Sequence, residues 1–165
     1  MQHVQTRSTT SALVLTAVLI ALATLFTMYT KIPVPGIRGY FNVGDVVIMT
    51  SALLLGRKYG AYIGALGPAL ADLFLGYAVF VPITFVVKGI EGYLVGTVYN
   101  NKTTTSALMA TIVGGIIIVA GYFIAEYFVF DPGVAIASIL TNTIQAVMSV
   151  IISIILYAIL RKRLG

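Results

Sequence analysis

The stretch Ile83-Thr84-Phe85-Val86-Val87-Lys88-Gly89-Ile90-Glu91-Gly92-Tyr93-Leu94-Val95-Gly96-Thr97-Val98-Tyr99 carries a lysine and a glutamate inside an apolar run. A charge held in hydrocarbon costs on the order of 3 kcal/mol or more, so such residues face a cavity or a partner and mark function. Thr84, Lys88 and Glu91 stand at i, i+4 and i+7, on one face of a helix. The run reads as a membrane span with one wet face. Asp45, Asp72 and Glu126 also lie inside or at the edge of apolar runs.

The rest of the chain fits that reading. Its 165 residues are 59% hydrophobic and 9% charged, with a mean hydropathy of +1.04. A soluble domain is about a quarter charged. A span needs about 20 apolar residues, so the length allows about six spans and short loops. The expected fold is an all-α polytopic membrane protein with six transmembrane helices, residues 1–165 forming a single membrane domain. No GxxxxGK[ST] loop is present, so the chain is not expected to hydrolyse ATP, and with no visible nucleophile-base pair or metal-ligand set an intramembrane enzyme is the last-ranked reading. The net charge of +5 comes from basic residues beside apolar spans, which argues for a bilayer and against nucleic acid. With no cysteine and one histidine, His3 in a polar tail, no metal site or cofactor is expected. The first apolar run follows a basic tail, as in a signal peptide. It ends in Tyr29-Thr30-Lys31-Ile32-Pro33, a poor cleavage site, and is read as retained.

The spans fall at about 11–30, 43–55, 61–76, 83–99, 107–130 and 134–160. Pro33 and Pro35 break the chain after the first, and Gly56-Arg57-Lys58-Tyr59-Gly60 reads as a tight basic turn. Residues 77–82 read as an aromatic loop and Asp131-Pro132-Gly133 as a turn. Six spans put Arg7, Arg57, Lys58, Lys102, Arg161, Lys162 and Arg163 on one side, and Lys31 and Arg38 on the other. Both termini are therefore expected in the cytoplasm of a cell-membrane protein.

Depth follows from a rise of about 1.5 Å per residue. Asp72 and Glu126 lie about one turn from the outer ends of spans 3 and 5. Lys88 and Glu91 lie roughly 8–14 Å down span 4, and Asn142 and Gln145 about 12–17 Å down span 6. Ser138, Asn142, Gln145 and Ser149 form one stripe, and Tyr122 shares a face with Glu126. These faces outline a wet pocket open to the outside. Each residue also has a plain role. Lys88 and Glu91 pair at i, i+3, Asp45 caps span 2 after Asn42 and Gly44, and Asp72 pairs with Lys88. Asn142 and Gln145 are interhelical glue, Glu126 sits in interfacial water, and Tyr77 and Phe80 join an aromatic belt. Small-residue pairs Ala17/Ala21, Gly60/Gly64 and Gly92/Gly96 mark faces for close helix approach.

Six stretches in order carry a likeness: Tyr40-Phe41-Asn42-Val43-Gly44-Asp45, Leu53-Leu54-Leu55-Gly56, Gly67-Pro68-Ala69-Leu70-Ala71-Asp72, Gly76-Tyr77, Pro82-Ile83-Thr84 and Lys88-Gly89-Ile90-Glu91-Gly92. Together they resemble the substrate-binding S components of energy-coupling factor (ECF) vitamin transporters. The resemblance covers about residues 10–100 well and the last third through length and span count. It implies a six-helix subunit that binds a vitamin or precursor near the extracellular side, under the loops at 31–42 and 77–82. It implies a membrane-embedded T component as partner, docked on a small-residue face of the first helix that Ala17 and Ala21 match, and two ATPase subunits that drive transport. The likeness is nearest to the pyridoxine or hydroxymethylpyrimidine group, with riboflavin-type members nearby. For such a small aromatic ring, Tyr40, Tyr77, Phe80 and Tyr122 can stack. Asp72, Lys88, Glu91, Asn142 and Gln145, with Thr84 on the same face, can fix its polar edge. A self-sufficient secondary transporter relaying protons through Asp72, Lys88 and Glu91 is the competing reading. The lack of an internal repeat and the one-sided polar cluster weigh against it.

Overall fold

The computed structural model describes residues 9–33, 40–99 and 103–164. Six helices follow in order: α1 (Thr9–Tyr29), α2 (Gly44–Leu55), α3 (Arg57–Phe74), α4 (Phe80–Val98), α5 (Thr104–Val129) and α6 (Pro132–Leu164). Between α1 and α2, a two-residue antiparallel ladder pairs β1 (Ile32–Pro33) with β2 (Tyr40–Phe41), Ile32 opposite Phe41. Four helical stretches are long and apolar enough to cross a bilayer: Thr10–Tyr29, Phe80–Val98, Thr104–Val129 and Pro132–Lys162. The all-α, six-helix membrane architecture expected from the sequence is the one observed.

The other two helices differ from ordinary spans for physical reasons. The 12-residue α2 is about 18 Å long, short of the roughly 30 Å hydrocarbon core. Ten of its residues are buried and it touches every other helix. Protein rather than lipid surrounds it, so it need not span. The α3 helix begins at Arg57, not after a turn over 56–60. Gly56 alone breaks the chain, at φ +89°, a conformation that glycine adopts freely. The residues read as turn continue as helix because Gly60 must meet α4. A Cβ at Gly60 would lie 2.5 Å from the Gly92 carbonyl oxygen, and one at Gly64 would strike the Lys88 carbonyl. The glycine stripes are thus spent inside the bundle. Ala17 and Ala21 of α1 remain exposed.

Short polar signals fix the helix starts. The Thr103 hydroxyl accepts from the Ser106 amide at 3.1 Å to cap α5, and the Asp131 carboxylate accepts from the Val134 amide at 3.0 Å. The expected aromatic loop is shorter than 77–82, because α4 starts at Phe80 and Gly76 turns the chain at φ +81°.

The two ends of the bundle are unlike. Where α2, α4 and α6 begin, buried polar groups gather. At the opposite end Met49, Leu53, Val95, Ala107 and Tyr157 form an apolar core. There the Tyr99 and Tyr157 hydroxyls bond to each other, their rings edge to face at 5.5 Å.

Candidate substrate-binding site

Lys88, central to α4, is the anchor. It is fully buried, so its ammonium must be compensated. The Asp45 carboxylate accepts from Lys88 Nζ at 2.5 Å, and Glu91 Oε2 lies 3.5 Å away. Asp45 thus stands in the first turn of α2 but does not cap it. The local capping group is Asn42, whose Oδ1 accepts from the Gly44 amide at 2.8 Å. That frees Asp45 to turn inward, where its second oxygen accepts from Gln145 Nε2 at 2.7 Å. Gln145 Oε1 in turn accepts from the Asn42 amide at 3.1 Å. One chain of bonds therefore joins α4, α2, α6 and the segment before α2. Charge-assisted links of this kind are about twice as strong as neutral ones.

Above this floor is a cavity with about 40 Å³ of free space, room for roughly three waters. Asp72 and Pro68 of α3 line it, with Phe80, Thr84 and Lys88 of α4. Tyr122 and Glu126 come from α5, and Ser138, Thr141, Asn142 and Gln145 from α6. Thr27 of α1 and Asn42 complete the wall. The Thr84 and Tyr122 hydroxyls bond at 2.9 Å, and Lys88 Nζ stands 5.4 Å over the Tyr122 ring. Glu126 accepts from the Ser138 hydroxyl. Phe80 packs on Phe130 at 5.3 Å, closing one side with aromatic surface.

Of the residues expected from sequence, Asp72, Phe80, Thr84, Lys88, Tyr122, Asn142 and Gln145 come together around this one cavity. Two expected contacts do not line it. Glu91 lies one turn deeper, its carboxyl 3.5 Å from Lys88 Nζ and its Cγ against Gly114 of α5. Tyr77 sits at the rim, edge-on to Phe80 at 6.4 Å, with Lys31 Nζ 5.2 Å over its ring. The Tyr40 side chain lies outside the described residues, as do Arg38, Arg7 and Lys102. Glu126 and Ser138 are wall residues rather than interfacial ones, each under 4% exposed. Thr27, Asn42, Pro68 and Thr141 were not foreseen as wall residues. For Thr27 a signal existed, because Thr16, Thr24 and Thr27 form a buried polar stripe on an otherwise apolar helix.

The balance of charge is one-sided. Asp45, Asp72, Glu91 and Glu126 are each at most 3% exposed, against a single buried ammonium among the described residues, Lys88; Asp45 and Glu91 flank that ammonium, while Asp72 and Glu126 share the cavity wall with it. Such a recess suits a ligand rich in hydrogen-bond donors and repels a phosphate. Among the described residues no group of acidic, histidine or cysteine side chains could hold a metal ion. A larger groove of about 560 Å³ runs along α5 and α6, but Thr143 is its only polar side chain. It has no means of reading the polar edge of a ring.

Comparison with known proteins agrees with this fold. A family described as the ECF-type riboflavin transporter, S component, matches residues 7–162. A Pyrococcus woesei protein described as "Uncharacterized protein in gap 3'region" is 41% identical over 145 residues, which are 86% of this chain and 96% of that one. The thiamine precursor transporter HmpT of Lactococcus lactis subsp. cremoris (strain MG1363) is 28% identical over 148 residues, 89% of this chain and 83% of the relative. The fold matches a solved structure described as "Structure and mechanism of the S component of a bacterial ECF transporter". Its TM-score is 0.75 at 21% identity, over 93% of this chain and 96% of that one. The chain therefore belongs to the ECF-type riboflavin transporter S component family, the substrate-binding membrane subunits of vitamin transporters, and is not an enzyme.

Proposed function

We propose that this subunit captures a single-ring, nitrogen-containing vitamin precursor of the hydroxymethylpyrimidine type, with a pyridoxine-type ring as the nearest neighbour in chemistry. The observation that carries this reading is the small cavity lined by the buried carboxyl groups of Asp72 and Glu126 and by the Lys88 ammonium, with Asp45 and Glu91 in the floor beneath it. Carboxyl oxygens accept from ring amino and hydroxymethyl groups, while Asn142 and Lys88 donate to ring nitrogen or oxygen. Phe80 and Tyr122 supply the stacking surface. With about 40 Å³ of free space, the recess must open less for one ring than for the three fused rings of riboflavin. The likeness to a thiamine precursor transporter supports the same choice.

Binding and transport are separate tasks in this reading. Beneath Lys88 and Glu91 the core is closed by Met49, Leu53 and Val95, with only hydroxyls for polar continuation among the described residues. A proton relay through Asp72, Lys88 and Glu91 would have no path onward. Release inward therefore falls to a T component and two ATPase subunits, with the exposed Ala17/Ala21 face of α1 as the contact surface. Arg57, Lys58, Arg161 and Lys162 lie at the end opposite the cavity. Their charge supports placing that end, and both termini, in the cytoplasm.

Titration calorimetry of the purified subunit with hydroxymethylpyrimidine, pyridoxine and riboflavin, without ATP, tests the assignment. Hydroxymethylpyrimidine is expected to bind tightest, and Lys88→Ala to abolish the heat. Riboflavin binding tighter than either single ring would overturn it.

A further inference from the structure

We infer that Thr27 of α1 is a substrate-contacting, specificity-setting residue whose hydroxyl hydrogen-bonds the polar edge of the ring in the cavity. The inference rests on the proposed small-ring site and adds to it a contact from a helix that takes no part in the ion network.

Threonine inside a helix ordinarily returns its hydroxyl to the carbonyl four residues back. Its neighbours on α1 do so. Thr16 donates to Ala12 at 2.7 Å, and Thr24 donates to Ile20 and across to Gly67, each at 2.9 Å. Thr30 bonds back to the Phe26 carbonyl in the same way. Thr27 does not. It is 1% exposed, its Oγ1 has no hydrogen-bond partner, and it lines the cavity. A buried hydroxyl without a partner destabilises the empty protein, and valine, the same shape, would remove the penalty. Keeping the hydroxyl makes physical sense when a ligand completes it.

Two further features single out the position. Gly44 leaves the hydroxyl its space, because a Cβ there would strike Thr27 Oγ1 and press on Asn42 Oδ1. On α6, Asn142 Nδ2 lines the same cavity and is likewise without a partner. Two unmet groups on different helices face one recess, one able to donate or accept and the other only to donate. A ring with an acceptor beside a second polar atom would satisfy both at once.

Thr50 provides the control. Its hydroxyl is also buried without a partner, but it does not line the cavity. Hydroxymethylpyrimidine is the probe, with affinity read by calorimetry and ligand-free stability by melting temperature. Thr27→Val is expected to melt at or above the wild-type temperature and to bind about tenfold more weakly, one hydrogen bond's worth. Thr27→Ser should bind within about threefold of wild type, and Thr50→Val should leave affinity unchanged. Wild-type affinity in Thr27→Val, or a loss of affinity that only tracks a lower melting temperature, overturns the inference. The chain has no cysteine, which allows a test independent of the probe. Thr27→Cys should react with a small cationic methanethiosulfonate while Thr50→Cys does not, and hydroxymethylpyrimidine should protect the former. Failure of the wild type to bind that compound would refute the ring assignment alone. Thr27 would then be judged by its labelling, and an unreactive Thr27→Cys would refute its place in the cavity.

Discussion

The two ends of this bundle are held by different physics. At the cavity end, Lys88, Asp45, Gln145 and the Asn42 amide form one connected set of bonds, the two to the Asp45 carboxylate charge-assisted. At the other end, Met49, Leu53, Val95, Ala107 and Tyr157 pack as a dry core, with the Tyr99–Tyr157 hydroxyl pair at its edge. Apolar packing tolerates gradual change, whereas a buried ion network fails when any member is removed. The cavity end accepts that vulnerability because its groups must also be able to face a ligand. The Asp45–Lys88 pair lies just below the cavity, so one set of residues carries both stability and recognition.

The sharpest way to break the contrast is Asp45→Ala. It leaves the Lys88 ammonium without its closest partner and Gln145 Nε2 without its acceptor, and should cost about 3–5 kcal/mol of stability. Ligand binding should disappear with it. Denaturant unfolding in detergent measures the first and calorimetry the second. A loss under about 1 kcal/mol would mean that this end does not depend on the pair. The combined variant Asp45→Leu, Lys88→Met and Glu91→Leu refines the point. Removing the three charged partners together should restore most of the stability, short of about 1 kcal/mol or more for the Gln145 Nε2 still left without its acceptor, while binding stays absent. Stability and recognition would then be separable in the same residues.

A second test uses the carboxyl excess rather than a mutation. Two like charges 4 Å apart repel by roughly 4 kcal/mol at an effective dielectric constant of 20. The phosphate ester of hydroxymethylpyrimidine should therefore bind at least about 100-fold more weakly than the free alcohol. Competition calorimetry reads this directly. Equal affinity would show that Asp72 and Glu126 do not face the ligand. At the opposite end the expected effect is smaller. Tyr157→Phe removes one hydroxyl pair, about 1 kcal/mol, and should leave affinity for the ring unchanged.

The sequence showed most of the cavity because a charge on an apolar helix has few places to go. Lys88, Asp72, Asn142 and Gln145 each stood on a helical face at matching depth, and the helices bring them together. Helix existence was legible for the same reason, from long apolar runs bounded by glycine, proline and basic residues. The Lys88–Glu91 pair at i, i+3 was legible too, but the closer partner of Lys88 was not. Asp45 follows Asn42 and Gly44, a local pattern that reads as a cap, and its actual contacts lie 43 and 100 residues away. Pairing over that distance leaves no period in the sequence. The start of α3 was missed because Arg57 and Lys58 suit a turn or a helix equally, and the Gly60–Gly92 contact that decides between them is tertiary. Tyr77 was placed in the wall by its type, while the turn at Gly76 directs it to the rim.

The small-residue stripes give the last and smallest expected effect on the isolated protein. Gly60/Gly64 and Gly92/Gly96 share the spacing of Ala17/Ala21, but α3 and α4 use their glycines against each other. Ala17 and Ala21 of α1 stay exposed. A motif for close approach says that two helices will meet and not which two. Where the bundle leaves such a face unpaired, a second membrane protein is the physical candidate. Ala17→Leu with Ala21→Leu adds only apolar surface facing lipid, so stability should change by no more than about 0.5 kcal/mol and ring affinity should hold. Uptake of labelled hydroxymethylpyrimidine by cells supplying an ECF module should nevertheless stop, because leucine side chains hold the helices apart. Intact uptake in the double variant would place the contact elsewhere on the subunit. A loss of ring affinity would instead tie the outer face of α1 to the cavity that Thr27 lines.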